Sequence, residues 1–245
     1  MLSIVFVFYQ TLDLGHLERA VYSLTKQTAL DRASELVFVD NNTHYEPDEI
    51  RAVVEPHFQE PFVKYHFLKH GDSSRRHSWS ANYGIQAAVN ELFFFTRADY
   101  ILMEDALERM ADKAGENPLS FVSGWCWQMG YDRQTEMTET EPPYEAYAWR
   151  TNARFLLQYP YAFRFHETDQ DAGTYVTSKA AMGKGGWYDE AMVHFGYQQS
   201  TLQRRMRAAG VEMRAIQDYL FCHQHHEADR NFVRALQEYR QSKGG

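Results

Sequence analysis

The chain has 245 residues, enough for one well-buried core, and its hydrophobic fraction of 44% and charged fraction of 24% exclude disordered and fibrous classes. A net charge of -8 argues against nucleic-acid partners, whose affinity comes largely from basic patches. Only Cys126 and Cys222 occur, which leaves no disulfide framework and no paired-cysteine metal motif, and makes a reducing cytoplasm the expected compartment.

Ser3 to Phe8 is a continuous apolar run of strand length, as in a buried parallel strand. The opening segment lacks a basic flank and a small-residue cleavage site, so it reads as a strand and not as a leader. No apolar run approaches the ~20 residues of a membrane-spanning helix, so any membrane work is expected to be peripheral. Leu17, Ala20, Val21 and Leu24 recur at helical spacing, and Glu35 to Val39 is a second strand that stops at the turn cluster Asp40-Asn41-Asn42-Thr43. A helix, an extended stretch from Phe62 to Leu68, a helix from Ser78 to Val89 and a strand from Glu91 to Phe95 continue the alternation. Such alternation predicts an α/β fold with a mostly parallel sheet covered on both faces. Residues 131–171 break the rhythm and read as an acidic, tyrosine-rich insertion. A return strand (172–177), a helix (199–209), a short strand (219–222) and a closing helix (227–245) complete the reading. One domain is expected over 1–226, with a nucleotide-binding half at 1–110 and an acceptor half at 111–226.

Ligands of open α/β sheets sit beyond the carboxyl ends of the strands, so the residues that end each strand carry the chemistry. Asp40 ends the second strand, where it suits either a turn or an imino N–H of a base. Asp99 follows the apolar run Phe93-Phe94-Phe95 and can hold a divalent cation or cap the helix that starts near Ala106. His223, His225 and His226 form a cluster that fits a metal or a polar loop equally well. The aromatic fraction of 15%, Trp125 and Trp127 included, suits either a core or a sugar-stacking pocket.

In this order and spacing, the segments Ser3 to Tyr9, Leu17 to Thr28, Glu35 to Asn41, Ala81 to Ile85, Arg97 to Asp99, Gly185 to Glu190 and Phe195 to Gly210 resemble family-2 glycosyltransferases with the GT-A fold. His223-Gln224 is similar to the segment that supplies a metal-binding histidine in chondroitin-synthase-like members. The resemblance implies a single GT-A domain that takes a nucleoside diphosphate sugar, a UDP-sugar by expectation, and passes the sugar to a carbohydrate acceptor with inversion. It implies that Asp40 binds the base beside Phe8 and Tyr9, that Asn82 and Arg97 belong to the donor site, and that Asp99 and His223 hold Mn²⁺ or Mg²⁺ with the diphosphate.

Two departures from the family pattern stand out. Arg97 occupies the place of the first acid of the family's Asp-x-Asp motif, so it either pairs with phosphate or forms a salt bridge. Gln198-Gln199 occupies the place of the Glu-Asp pair that provides the general base. Glutamine takes no proton, so Asp189 and Glu190, or Glu167 and Asp169 of the insertion, become the candidate bases, with Gln198 and Gln199 left to orient the acceptor. A sugar-nucleotide-binding protein without turnover is the alternative. A nucleotidyltransferase is disfavoured because Gln10 to Gly15 is not a glycine-rich phosphate loop.

Overall fold

The computed structural model describes residues 1–9, 12–69, 77–128, 173–191 and 197–224. The insertion at 131–171, with Glu167 and Asp169, lies outside the described residues, as do the closing helix at 227–245, His225, His226 and the Trp127 side chain. In chain order the elements are β1 (Leu2–Tyr9), α1 (Leu14–Thr25), a 3-10 turn (Leu30–Arg32), β2 (Ala33–Asn41), α2 (Pro47–Val54), β3 (Val63–Leu68), α3 (His77–Ala87), β4 (Leu92–Arg97) and β5 (Tyr100–Leu102). Then follow α4 (Ala106–Gly115), β6 (Ser120–Gln128), β7 (Tyr175–Ser178), α5 (Lys179–Gly185), α6 (Tyr197–Ala208) and β8 (Glu212–His223).

All eight strands join one sheet in the order β3-β2-β1-β4-β7-β6-β8-β5. Pairing is parallel from β3 through β4 and between β6 and β8, whereas β7 runs antiparallel to both β4 and β6, and β5 antiparallel to β8. β1 is buried at every position because helices cover both faces, which is why its sequence is apolar without alternation. On one face α3 comes so close that a Cβ on Gly84 would lie 2.8 Å from Val5 Cγ1, so only glycine fits there.

Sequence and structure differ at two strands. β8 is 12 residues long and not confined to 219–222, because its first half, Glu212 to Gln217, is partly exposed and carries polar residues. β5 is three residues long and follows β4 after only Ala98 and Asp99, yet three strands separate the two in the sheet. The sheet must therefore curl, and the curl brings the end of β8 back to the end of β4. Tyr100 pairs with His223 in register, and the backbone N–H of Gln224 donates to the Asp99 carbonyl at 2.7 Å.

The core is continuous across the sheet. Tyr175 of β7 is fully buried between Phe95 of β4 (ring centroids 4.9 Å apart) and Phe121 of β6 (4.5 Å). Its hydroxyl accepts from the Tyr188 hydroxyl at 3.1 Å, which ties the loop after α5 to the sheet. Each such aromatic side chain contributes about 1.5–3 kcal/mol by leaving water. Among the described residues no helix is long and apolar enough to cross a membrane.

Candidate active site

The ends of β2, β1 and β4 lie side by side, with Asp40 registered to Phe8 and Arg97 to Val7. Asp40 is fully buried. Its Oδ1 accepts from the Thr43 N–H at 3.1 Å, so the turn role is real. Its Oδ2 lies 3.3 Å from Lys69 Nζ in an ion pair but accepts no hydrogen bond, which leaves a buried lone pair for a donor N–H. The neighbouring Phe8 side chain stacks on Tyr45 at 6.0 Å between centroids.

Two strands away, roughly 10 Å at the usual strand spacing, Arg97, Asp99 and His223 form one cluster. Asp99 Oδ2 lies 3.0 Å from Arg97 Nη2 and 3.1 Å from His223 Nε2. Arg97 Nη2 also donates to the Tyr100 hydroxyl at 2.9 Å, and the guanidinium lies over the Tyr100 ring at 4.8 Å and the Tyr9 ring at 5.9 Å. Arg97 is 4% and Asp99 2% exposed, whereas the His223 side chain is 19% exposed and is the member of the cluster nearest solvent. The salt-bridge alternative for Arg97 is thus realised, and its partner is the acid expected to hold the metal.

Gln224 locks this cluster, although nothing in its sequence context singles it out. Fully buried, it donates through Nε2 to the carbonyls of His16 (3.1 Å) and Ala98 (2.9 Å), and its Oε1 accepts from Arg19 Nε at 2.6 Å. α1 is in turn capped by Asp13, whose Oδ1 accepts from the His16 N–H at 2.8 Å.

A second chain of contacts runs behind Arg97. The Tyr9 hydroxyl bonds His77 Nδ1, and His77 Nε2 lies 3.3 Å from Gln199 Nε2 on α6. Burial, reinforced by the nearby Arg97 charge, pushes the His77 pKa down from 6.5 to about 3, so the ring is neutral. The same burial raises the Tyr9 pKa. Because the folded chain resists the proton that the unfolded chain accepts, stability rises with pH between about 3 and about 6.5 and is fully present above that window. His77→Gln, which cannot titrate, is expected to flatten this part of the pH profile, where one such group contributes up to about 1.4 kcal/mol per pH unit. Urea midpoints measured at pH 4, 5 and 7 for both chains check this.

The loop after α5 is fixed from two sides. Asn82 donates through Nδ2 to the Tyr188 carbonyl and to Glu190 Oε1, both at 2.9 Å, while its Oδ1 accepts from the Tyr188 N–H at 3.1 Å. Arg205 of α6 donates to the Trp187 carbonyl. Trp187 adopts a φ of 60° immediately after Gly186 at 78°, a conformation an aromatic residue holds only when its surroundings enforce it. Glu190 is exposed, and Asp189 Oδ1 accepts from the Ala191 N–H at 3.0 Å. Gln198 is buried at the start of α6.

The structure therefore brings Asp99, Arg97 and His223 into contact, sets Asp40 two strands away, and joins Asn82 to Glu190. The side chains do not fit a divalent cation. Hard cations need several oxygen ligands and net negative charge, but among the described residues the one carboxylate at the junction, Asp99, is already paired with Arg97. At roughly 5 Å from a guanidinium, a dication would meet a repulsion of about 7 kcal/mol at an effective dielectric constant of ~20. Among the described residues no group of three or more His, Cys, Asp or Glu side chains is placed to hold a metal ion.

Comparison with known proteins agrees with the architecture. No curated protein sequence matches. Among solved structures, S. aureus TarS is similar, with a TM-score of 0.62 at 14% identity over 92% of this chain and 37% of that one. The chain thus spans little more than a third of the TarS chain, and at that identity the likeness shows the fold, a GT-A-type α/β sheet. The profile described as "Glycosyl transferase family 2" matches residues 3–184, well over half of the chain. Over that span, the match carries the identification: the chain belongs to glycosyl transferase family 2.

Proposed function

We propose that the chain transfers a sugar from a nucleoside diphosphate sugar, a UDP-sugar first, to a hydroxyl of a carbohydrate acceptor with inversion at the anomeric carbon. The observation that carries this is the convergence of Arg97, Asp99 and His223 beyond the ends of the parallel strands, roughly two strand spacings from Asp40. That separation suits a ligand whose base donates an N–H to Asp40 Oδ2 while its diphosphate lies against the Arg97–Asp99–His223 cluster. Phe8 and Tyr9 then wall the base side, and Asn82 acts on the donor site by holding the Tyr188–Glu190 loop.

As the glycosidic bond to the diphosphate breaks, positive charge builds on the sugar ring, as in glycoside hydrolysis, and negative charge builds on the leaving group. A fixed cation such as Arg97 facing the leaving group stabilises that change without reorganisation. Glu190 is the better general base of the two candidates among the described residues, because Asn82 orients its carboxylate while Asp189 serves a local turn. Gln198 and Gln199 orient the acceptor hydroxyl. Glu190→Gln is expected to lower kcat about 10²–10⁴-fold with little change in donor KM. Incubating the chain with a panel of sugar nucleotides and glycan acceptors, with product read by mass spectrometry, tests the reaction. Transfer from at least one donor is expected, and neither transfer nor donor hydrolysis across the panel would contradict it. A nucleotide-binding protein without turnover is the second possibility, favoured by Gln198-Gln199 in place of acids. Nucleotide binding without product from any donor would support it.

A further inference from the structure

We propose that Arg97 replaces the divalent cation: its guanidinium, with His223 beside it, carries the charge of the donor diphosphate, so that nucleotide binding needs no metal. The inference rests on the nucleoside-diphosphate donor reading above and says how that same site handles phosphate charge.

Three observations support it. First, Arg97 stands at the end of β4, where its fixed positive charge lies 3.0 Å from the carboxylate a metal would need. Arginine stays protonated in proteins, so this charge cannot be titrated away to admit a cation. Second, the guanidinium is held in place before any ligand arrives. It donates to the Tyr100 hydroxyl at 2.9 Å, pairs with Asp99, and lies over the Tyr100 and Tyr9 rings. A cation held this way loses little freedom on meeting phosphate, and its low exposure of 4% strengthens its field. Third, His223 shares the same Asp99 oxygen, Oδ2, at 3.1 Å and rests edge-on against Tyr100. With 19% of its side chain exposed, it stands at the surface of the cluster with Nε2 against Asp99, while Arg97 lies just beneath. The arrangement of one carboxylate between an arginine and a histidine suits an anion better than a dication.

Calorimetric titration of the chain with UDP, GDP and dTDP, each in excess chelator and again in excess Mn²⁺, tests this with no dependence on turnover. The expected result is that at least one nucleotide binds with a Kd that changes less than about three-fold between the two conditions. Arg97→Asp is expected to bind that nucleotide at least about ten-fold more weakly in chelator and to regain affinity in Mn²⁺, because the substitution restores the second acid of a cation site. A purely structural role for Arg97 would not create such a metal requirement. If the wild-type chain binds nucleotide only with Mn²⁺, the inference falls and the donor reading stands. If no nucleotide binds in either condition, both fall. The wild-type comparison requires no variant and decides alone if Arg97→Asp does not fold.

Discussion

Asp99→Asn is expected to reduce glycosyl transfer by about 10²–10³-fold, the usual effect of removing one element of a preorganised electrostatic site. Asn keeps the shape of Asp but removes the charge that holds Arg97 at 3.0 Å and His223 at 3.1 Å. Arg97 is then a buried cation without its carboxylate, and breaking a buried pair from one side costs about 3–5 kcal/mol. Rate and stability should therefore fall together, in kcat at saturating donor and in the urea midpoint respectively. Loss of activity at unchanged stability would instead mean that Asp99 acts on the ligand without holding Arg97. A wild-type rate would remove Asp99 from the site.

Gln224→Ala is expected to weaken the fold about as much. The side chain supplies a hydrogen bond to a charged guanidinium and two to backbone carbonyls, all inside the protein. A hydrogen bond to a charged group is worth about 1.5–3 kcal/mol and a neutral one about 1, so the variant is expected to lose about 3–5 kcal/mol. Because those bonds join α1, the Ala98–Asp99 link and the end of β8, the loss should also loosen His223 and lower kcat. Denaturation curves and kinetics on the same preparation check both. A loss below about 1 kcal/mol would show that the junction is held elsewhere.

The parallel part of the fold was legible because its strands are buried on both faces. Nothing but apolar residues can occupy β1 from Ile4 to Phe8 or β4 from Phe93 to Phe95, and such runs stand out from the helices between them. β5 was not legible, since three residues leading into a helix carry no period. The first half of β8 was missed for the opposite reason, as its exposed polar positions look like the end of a helix and a turn. At the site, Asp40 and Asp99 could be found by their place at strand ends, and His223 by the family resemblance. Tyr100 and Gln224 could not, because their roles arise only when the curled sheet brings β8 against the β4–β5 link, and neither could His77, whose partners lie on β1 and α6. The resemblance also implied a cation at Asp99 and His223. Position 97 had already signalled the difficulty by its charge, but only the 3.0 Å contact shows which partner the arginine takes.

A crystal structure of the chain with a bound nucleoside diphosphate is the decisive experiment. The base is expected within hydrogen-bond reach of Asp40 Oδ2 and the β-phosphate against Arg97 and His223. A nucleotide seated elsewhere, or one whose phosphates point away from that pair, would contradict it.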